Sequence, residues 1–480
     1  MKYPNRTVAL LLSLLAATVA SRALAQDWPQ WRGPNRDAKA AFTPPKTWPK
    51  ELSQKWKVTV GEGVATPALV GDKLYVFSRQ EGNEIIRCLN ATDGKELWQD
   101  KYESLGASGP AQGFSGPRSS PTVADGKVVT LGVRGMLSCL DAAKGNKLWR
   151  KDEFQAWPNF HPSSSPLIIN GLCIAQLGGR ENGALVAYDL ASGEEKWKWS
   201  GSSPAYASPV LLTLGATKLI VAQTEAKLIA VDAANGKLAW EDQGGRGPGG
   251  GGGRGMGGRD YKAATPIVDG QNIITAGRGL KAVRLEKEGD SVVAKELWSN
   301  PDKSVQFNTP ALRNGLVYGL TQNNELFCLN AKDGQIAWST PFPGSPAPGG
   351  PGNRAAAINL GPLPAVFGAV PAADPPPARP PGGPGPGAPG GGAGGPGGGR
   401  RGMGGGMGGG AGYGSIVDAG PVLLALTPNA QLIVFEPSEK EFKQLASYKV
   451  AAGSTHAYPV ASGNRIFIKD KDSVTLWTVE

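Results

Sequence analysis

Six polar or aromatic residues occupy a recurring place in the sequence, two to five positions before a proline. They are Arg118, His161, Tyr206, Lys262, Asn308 and His456. If the fold gathers them, their cationic, aromatic and amide groups would form a site for an anionic or carbonyl-bearing ligand, or for a partner peptide. Each of them can equally be a solvated rim residue without a function. The elements that carry them decide between these possibilities.

The sequence offers little that would support catalysis. Its two histidines, His161 and His456, are too few for a histidine-rich transition-metal site. Calcium takes about six to eight oxygen ligands at one place, and no cluster of Asp, Glu and Asn supplies them. A Gly-x-Ser-x-Gly nucleophile motif is absent. We therefore predict no catalytic residue and no metal ligand.

A nine-residue motif recurs five times and predicts the elements. In each copy an Asx residue stands four positions before a glycine, and a tryptophan stands four positions after it. The copies are Asn90–Trp98, Asp141–Trp149, Asp189–Trp197, Asp232–Trp240 and Asn330–Trp338. The Asx side chain can bond to turn backbone and glycine supplies a positive φ, so each copy predicts a strand, a tight turn and an antiparallel strand.

A second periodic feature is a proline that would open the first strand of each unit. It occurs at Pro67, Pro121, Pro166, Pro209, Pro266, Pro310, Pro421 and Pro459. Proline lacks an N–H and is tolerated at the first residue of a strand. The last unit contains only three strand-like runs, and residues 52–58 can supply the fourth. The sequence thus predicts an all-β, eight-bladed β-propeller of four-stranded antiparallel blades, closed by the N-terminal strand pairing into the last blade.

The cysteines fit this repeat. Cys88, Cys139 and Cys328 stand two residues before the Asx of their units, and Cys173 lies in another apolar run. Equivalent positions in different repeats should be too far apart for a disulfide, whose Cα atoms lie within about 7 Å. We expect buried structural thiols, with a bridge or a reactive thiol as the alternative.

The Ala-x-Asp-Gly-Lys-x-x-Trp repeats resemble the pyrroloquinoline-quinone (PQQ)-type repeats of the quinoprotein propeller superfamily. That superfamily includes quinoprotein alcohol dehydrogenases and BamB, the propeller subunit of the outer-membrane β-barrel assembly machinery. The opening Asp-Trp-Pro-Gln-Trp-Arg-Gly-Pro resembles exported propeller proteins of planctomycete-type bacteria. The resemblance covers nearly all of residues 50–480 outside two Gly-rich tracts.

The resemblance implies that each repeat tryptophan docks on the neighbouring blade, near its glycine-bearing turn. The residues concerned are Trp56, Trp98, Trp149, Trp197, Trp240, Trp298, Trp338 and Trp477. For the dehydrogenases it also implies PQQ with Ca²⁺, an Asp base and, in many, a disulfide between adjacent cysteines. The sequence has no adjacent cysteine pair. We therefore predict no cofactor and keep PQQ with Ca²⁺ as the alternative.

The remaining segments differ in composition. Residues 1–25 have the basic start, apolar run and Ala-Leu-Ala site of a signal peptide. Residues 26–50, with Trp28 and Trp31, predict an irregular segment pinned to the propeller, which spans residues 51–480. Residues 244–258 and 341–415 hold 38 of the 70 glycines, so we predict disordered insertions there.

Charge and targeting limit the partners. The formal net charge is +10, but three of the basic residues lie in residues 1–25, and the two tracts carry six arginines against one aspartate. The folded part is therefore close to neutral, which disfavours nucleic acid as a partner. No later run is long enough to span a membrane, and no cysteine follows the cleavage site to carry a lipid anchor. We expect a periplasmic or extracellular protein.

These observations leave three hypotheses for function. The first is an exported, non-catalytic scaffold that binds proteins or envelope components. The second is a PQQ-dependent dehydrogenase with a degenerate site, which clustered oxygen ligands would favour. The third is a carbohydrate- or polymer-binding module, which exposed Trp or Tyr residues outside the repeat positions would favour. All three place the site on the face opposite the Asx–Gly turns, called here the loop face; the Asx–Gly turns lie on the turn face.

Overall fold

A computed structural model describes residues 27–242, 261–343 and 413–480. The predicted signal peptide and insertion 244–258 lie outside these residues, as does most of insertion 341–415. The described residues contain no α-helix and one short 3₁₀ turn, Gly109–Ala111. None of their elements is a helix with the length and apolar composition needed to cross a membrane.

Thirty-two strands form eight sheets within the described residues. Blades 1 to 4 contain β2 (Ala68–Val70), β3 (Lys73–Gln80), β4 (Asn83–Asn90), β5 (Glu96–Glu103); β6 (Thr122–Ala124), β7 (Lys127–Leu131), β8 (Leu137–Asp141), β9 (Lys147–Lys151); β10 (Leu167–Ile169), β11 (Leu172–Leu177), β12 (Ala184–Asp189), β13 (Glu195–Trp199); and β14 (Val210–Leu214), β15 (Thr217–Gln223), β16 (Leu228–Asp232), β17 (Leu238–Glu241).

Blades 5 to 8 contain β18 (Ile267–Asp269), β19 (Asn272–Ala276), β20 (Leu280–Glu288), β21 (Ser291–Asn300); β22 (Ala311–Arg313), β23 (Leu316–Leu320), β24 (Glu325–Asn330), β25 (Ile336–Pro341); β26 (Ser415–Asp418), β27 (Leu423–Leu426), β28 (Gln431–Phe435), β29 (Gln444–Lys449); and β30 (Val460–Ser462), β31 (Arg465–Lys469), β32 (Ser473–Thr478) with β1 (Ser53–Thr59). Consecutive strands pair antiparallel in every blade. The predicted eight-bladed propeller is confirmed.

The N-terminal strand closes the ring as predicted. β1 pairs antiparallel with β32, from Ser53 opposite Thr478 to Thr59 opposite Ser473. The buried Lys469, at the end of β31, reinforces this closure because its ammonium donates to the carbonyl oxygens of Gly61 (3.2 Å) and Gly63 (3.1 Å). Burial lowers the pKa of Lys469 to about 8. The junction between the two ends of the chain is thereby tied by backbone pairing and by one side chain.

The repeat tryptophans dock on the next blade. Trp98 donates from Nε1 to the carbonyl of Ala142, 3.3 Å away, and its ring covers Gly145. A Cβ at Gly145 would lie 2.5 Å from this ring, and its φ is +76°, so a side chain here would be both obstructed and strained. The same contact recurs in the pairs Trp56–Gly94, Trp149–Gly193, Trp197–Gly236 and Trp298–Gly334.

Three tryptophans depart from this arrangement. Trp240 faces blade 5, which has no Asx–Gly turn, and packs in a cluster that includes Leu285. Trp338 donates to the carbonyl of Ser438 in blade 7, 2.8 Å away. Trp477 lies in β32, the third strand of blade 8, and donates back to Val450 of blade 7, 3.1 Å away. In blade 8 the outer-strand position belongs to Trp56.

Blade 7 begins earlier than predicted. Pro421 was expected to open its first strand, but that strand is β26, and Pro421 lies in the turn that follows it. Gly420, with φ +75°, donates its N–H to Oδ1 of Asp418 (3.1 Å), which builds this turn. The Gly-Pro pair therefore marks a reversal. The strands also reach into both edges of the predicted insertion 341–415, since β25 includes Pro341 and β26 starts at Ser415.

The residue before the strand-opening proline links neighbouring blades. Ser120 accepts the N–H of Thr66 of the preceding blade at Oγ (3.0 Å), and Ser165 in turn accepts the N–H of Ser120 (2.9 Å). Ser208, Thr265, Thr309 and Thr66 accept from the preceding blade in the same way. We call this series the hydroxyl ring. It explains why Ser or Thr precedes the proline in six blades.

Candidate functional site

The central channel is filled by residues 27–43, which we call the plug. Its backbone pairs with blade 1 through Trp28 and Leu69 and with blade 7 through Ala40 and Asp418 (2.8 Å each). It returns past blade 8, where the N–H of Thr43 donates to Gly463 (2.8 Å). Leu69, Asp418 and Gly463 lie towards the first hairpin turns, so the plug enters and leaves at the turn face.

Two buried arginines hold the plug inside the channel. Arg32 donates to the carbonyls of Thr309 (2.9 Å) and Pro310 (2.8 Å) and to the hydroxyl of Tyr458 (2.7 Å). Arg36 donates to the carbonyls of Ser165 (3.1 Å), Pro166 and Pro209 (2.8 Å). The plug therefore satisfies inward-facing carbonyls of blades 3, 4 and 6. Burial lowers the pKa of Arg36 to about 9, but the guanidinium remains charged at neutral pH.

Aromatic rings converge at the loop face. A series of ring contacts, with centroids 4.5–5.8 Å apart, joins connections from seven different blades. Its members, which we call the aromatic arc, are Phe114, Phe160, Tyr206, Tyr261, Phe307, Tyr413 and His456. All seven are half-buried. The arc lies across the loop face of the channel, opposite the plug.

Of the six residues singled out from the sequence, Tyr206 and His456 belong to the arc. His456 packs edge-on against Phe114 (4.9 Å) and Tyr413 (5.0 Å), and burial lowers its pKa to about 4. Arg118 donates to the carbonyls of Ala111 (3.1 Å) and Phe114 (2.8 Å). Burial lowers the pKa of Arg118 to about 10. Arg118 thus shapes the loop that carries one end of the arc.

Two of the six are occupied with structural contacts. His161 is buried, and its Nε2 accepts the N–H of Ser108 (3.0 Å) while its Nδ1 lies 2.8 Å from the carbonyl of Val133. This pairing fits a neutral ring with the proton on Nδ1, and burial lowers its pKa. Asn308 is buried and donates to the carbonyl of Leu320 (2.9 Å).

The structure brings the remaining lysine together with Tyr206. A cavity of about 290 Å³ lies on the loop face between the connections of blades 3, 4 and 5. It is lined by Trp157, Pro158, Asn159, Phe160, Gly179, Arg180, Ser203, Pro204, Ala205, Tyr206, Glu225, Tyr261 and Lys262. We call it the arc pocket. Lys262 donates to the carbonyl of Ala226 (3.2 Å), which positions it on the rim.

The sequence reasoning missed the other aromatic residues of the pocket. Phe160 and Tyr261 line the pocket, and Phe307 and Tyr413 continue the arc; like Tyr206, each stands two to seven residues before the first strand of a blade. This spacing was a usable signal, because the connections it falls on all meet at the loop face. Trp157 carries no such signal. It is placed by stacking on His161 (5.6 Å) and by the guanidinium of Arg134 (4.8 Å).

A buried carboxyl group near the loop face was also missed. Glu84 accepts the hydroxyl of Tyr102 (2.6 Å) and the N–H of Val133 (2.9 Å). Burial raises the pKa of Glu84. Because Val133 belongs to blade 2, this carboxyl fastens blade 1 to its neighbour.

A quinone with calcium does not fit the described residues. They contain no group of three or more His, Cys, Asp or Glu side chains that could hold a metal ion. Arg32 and Arg36 occupy the channel interior, and the rings of the arc touch one another across its loop-face end. A flat tricyclic cofactor would have to displace these rings, and we derive no reaction step from it.

A family model described as outer membrane protein assembly factor BamB matches residues 82–340, more than half of the chain. The chain belongs to this BamB-type PQQ-repeat family. Among curated relatives, it is 26% identical over 196 residues to quinohemoprotein alcohol dehydrogenase ADH-IIG of Pseudomonas putida, covering 40% of this chain and 26% of that protein. It is 25% identical over 230 residues to BamB of Burkholderia pseudomallei, covering 40% and 59%.

This BamB-family chain thus spans only part of the length of these relatives. Among solved structures, BamB from Moraxella catarrhalis matches with a TM-score of 0.54 at 15% identity, over 89% of this chain and 99% of that one. At that identity the likeness concerns the fold. Both branches of the resemblance seen in the sequence are present among the relatives of this BamB-family propeller.

Proposed function

We propose that this protein is a non-catalytic scaffold that holds a protein partner on its loop face. Membership of the BamB-type family supports a binding role, because the description of the matching family model names an assembly factor. The observation that carries the proposal is the contrast between a filled channel and a loop face whose aromatic residues are only half-buried. Half-buried Trp and Tyr beside Arg are the side chains enriched at protein interfaces.

The test is site-specific photo-crosslinking in the source organism. A benzoylphenylalanine replaces Tyr261 in the arc pocket, and a matched variant carries it at Lys144, an exposed turn-face residue. We expect one defined envelope protein to be captured from position 261 and not from position 144. Equal capture from both positions, or no capture from position 261 when the variant is folded, would contradict the proposal.

The enzyme alternative has its own test. Titration with PQQ and Ca²⁺, followed by calorimetry and by dye-linked alcohol oxidation, should show neither saturable binding nor turnover. Calcium-dependent saturation together with turnover would replace the scaffold by a quinone-dependent dehydrogenase.

A carbohydrate- or polymer-binding role is the second candidate. The aromatic arc favours it, because its Tyr residues stand outside the repeat tryptophan positions on the loop face. Titration with envelope oligosaccharides would establish this role if Tyr261→Ala abolished saturable binding and Lys144→Ala did not.

We also propose that the protein is exported to the periplasm or beyond. The composition of residues 1–25 supports this, and cleavage there would start the mature chain at Gln26, next to the plug. N-terminal sequencing of the protein recovered from an envelope fraction should begin at Gln26. Recovery of the intact chain from the cytoplasm would refute export.

A further inference from the structure

The arc pocket is rich in hydrogen-bond donors that have no partner within the described residues. The indole N–H of Trp157 and the hydroxyl of Tyr261 make no hydrogen bond there, and both side chains line the cavity. The hydroxyl of Tyr206 accepts the N–H of Phe160 (3.3 Å), which leaves its own proton free to donate. Both side chains are half-buried, and a ligand that covered them would bury these donors, which then need acceptors. A ligand of this pocket should therefore supply acceptors.

The apolar part of the lining consists of aromatic rings and prolines. Phe160 stands edge-on to both Tyr206 (5.8 Å) and Tyr261 (5.3 Å), and Pro158 and Pro204 complete the walls. Aromatic-lined grooves with this donor chemistry suit a polyproline II helix, which offers carbonyl acceptors and pyrrolidine rings but few N–H groups. A strand-forming peptide would need acceptors for its own N–H groups; of the lining side chains, Glu225 already lies 3.4 Å from Arg180, and Asn159 offers one amide oxygen.

The charge of the pocket limits the chemistry of the ligand that it can bind. Its lining contains two cationic side chains, Arg180 and Lys262, and one anionic side chain, Glu225. The net positive balance favours a peptide with an acidic residue beside its prolines. The cavity of about 290 Å³ is at the small end of ligand pockets, which suits a short segment of an extended chain.

We propose that the arc pocket binds a proline-rich, acidic segment of the partner protein in the polyproline II conformation. This inference rests on the proposed scaffold function and names the chemistry of its partner. Trp157 and Tyr261 donate to ligand carbonyls, Phe160 and Tyr206 pack against the proline rings, and Arg180 and Lys262 lie near the acid. The ordering cost of such a ligand is low, because proline pre-sets its backbone.

The test is calorimetric titration of the full chain with the peptide acetyl-Asp-Pro-Pro-Pro-Leu-Pro-Pro-amide. A matched peptide has alanine for every proline. Because the chain carries a proline run of its own, the titration is repeated with Pro375, Pro376 and Pro377 replaced by serine. We expect saturable binding of the proline peptide and at least tenfold weaker binding of the alanine peptide.

Conservative variants test the donors without opening a cavity. Trp157→Phe and Tyr261→Phe each remove one donor and keep the ring, so each should weaken binding by roughly 2- to 10-fold. Lys144→Ala on the turn face is the matched control and should bind as the parent chain does. Equal affinity for both peptides, or no effect of the two donor variants, would overturn the proposal.

Failure of this inference is distinguishable from failure of the scaffold. If position 261 captures an envelope protein but the proline peptide neither binds nor competes, the scaffold stands and the ligand chemistry is wrong. If an oligosaccharide binds at Trp157 and Tyr261 and the peptide does not, the pocket is a glycan site and the inference is overturned. If neither capture nor peptide binding occurs, both proposals fail.

Discussion

The two ends of the channel contrast in how their polar groups are satisfied. The plug enters from the turn face and brings two arginines into the channel interior, where their guanidinium groups meet carbonyl oxygens from three blades. At the loop face, the indole of Trp157 and the hydroxyl of Tyr261 remain unpaired within the described part of the chain. Both ends are aromatic and cationic in composition. The plug's guanidinium groups are buried and paired, although the buried indole N–H of Trp28 in the same plug has no partner within the described residues. The two arginines, and not the overall composition, separate the packed channel from the loop face that is available for binding.

The strongest way to break this comparison is to truncate one tryptophan that is packed between blades and one at the loop face. Trp197→Ala removes a buried ring from Gly236 and should lower the free energy of unfolding by about 3–5 kcal/mol. Trp157→Ala removes a half-buried ring from the arc pocket and should cost about 1 kcal/mol. Urea unfolding of both variants measures the difference. Equal losses would mean that the loop face is packed as tightly as the interface between blades.

The arginines allow a similar pair of changes. Arg36→Met leaves three channel carbonyls without their donor and should lower the free energy of unfolding by about 3 kcal/mol. Arg180→Met breaks only an exposed ion pair with Glu225 and should change it by less than about 0.5 kcal/mol. Thermal and urea unfolding of the two variants measure both changes in the free energy of unfolding. If Arg36→Met left the free energy of unfolding unchanged, the plug would contribute no stability to the channel through this side chain.

Substitutions in the hydroxyl ring should lower the free energy of unfolding by less than substitution of the buried tryptophan or the buried arginine does. Ser165→Ala removes the acceptor of the buried Ser120 N–H and should cost about 1–2 kcal/mol. Ser163→Ala, at the loop face, removes a donor to the half-buried Tyr206 carbonyl, which water can replace, and should cost about 0.5 kcal/mol or less. The measurement is again the midpoint of urea unfolding. The comparison fails if the order of the two serine variants is reversed.

The smallest effect concerns His456 and depends on pH. Its pKa falls from 6.5 to about 4 on folding, so the unfolded chain binds a proton more readily between these values. Its stabilising contribution is full above pH 6.5 and is lost as the pH falls towards 4. Because the ring is only half-buried, screening limits the effect to about 1 kcal/mol. His456→Phe keeps the ring and should flatten this part of the stability profile relative to the parent; parallel profiles would contradict the burial.

The blades could be predicted from the sequence because their signals are local. An Asx four residues before a glycine and a tryptophan four residues after it define one hairpin and its docking ring, as in Asn90–Trp98. The prediction was wrong at Pro421, where the same residue type serves a turn. Blade 7 lacks the Ser/Thr-Pro pair and starts after Gly414, so no local signal marked it.

The site was predictable only in part, because its contacts are distant along the chain. Arg32 reaches carbonyls 277 and 278 positions away, and Arg36 reaches others 129 to 173 away. No spacing rule covers such contacts. Tyr206 and Lys262 were found from their place before a proline and do line the arc pocket, whereas Asn308 and His161, chosen by the same rule, turned out to be buried in structural contacts.

The plug and β1 also fix the order in which this protein can be completed. β1 is synthesised before the other strands but pairs with β32, at the opposite end of the chain. The plug likewise cannot complete its contacts until Tyr458 and Gly463 have been synthesised, because Arg32 donates to Tyr458 and Thr43 donates to Gly463. The ring therefore cannot close before Ser473–Thr478 has left the ribosome. Completion is a late step with a very long loop to close, which predicts slow folding of the last blade relative to the first seven.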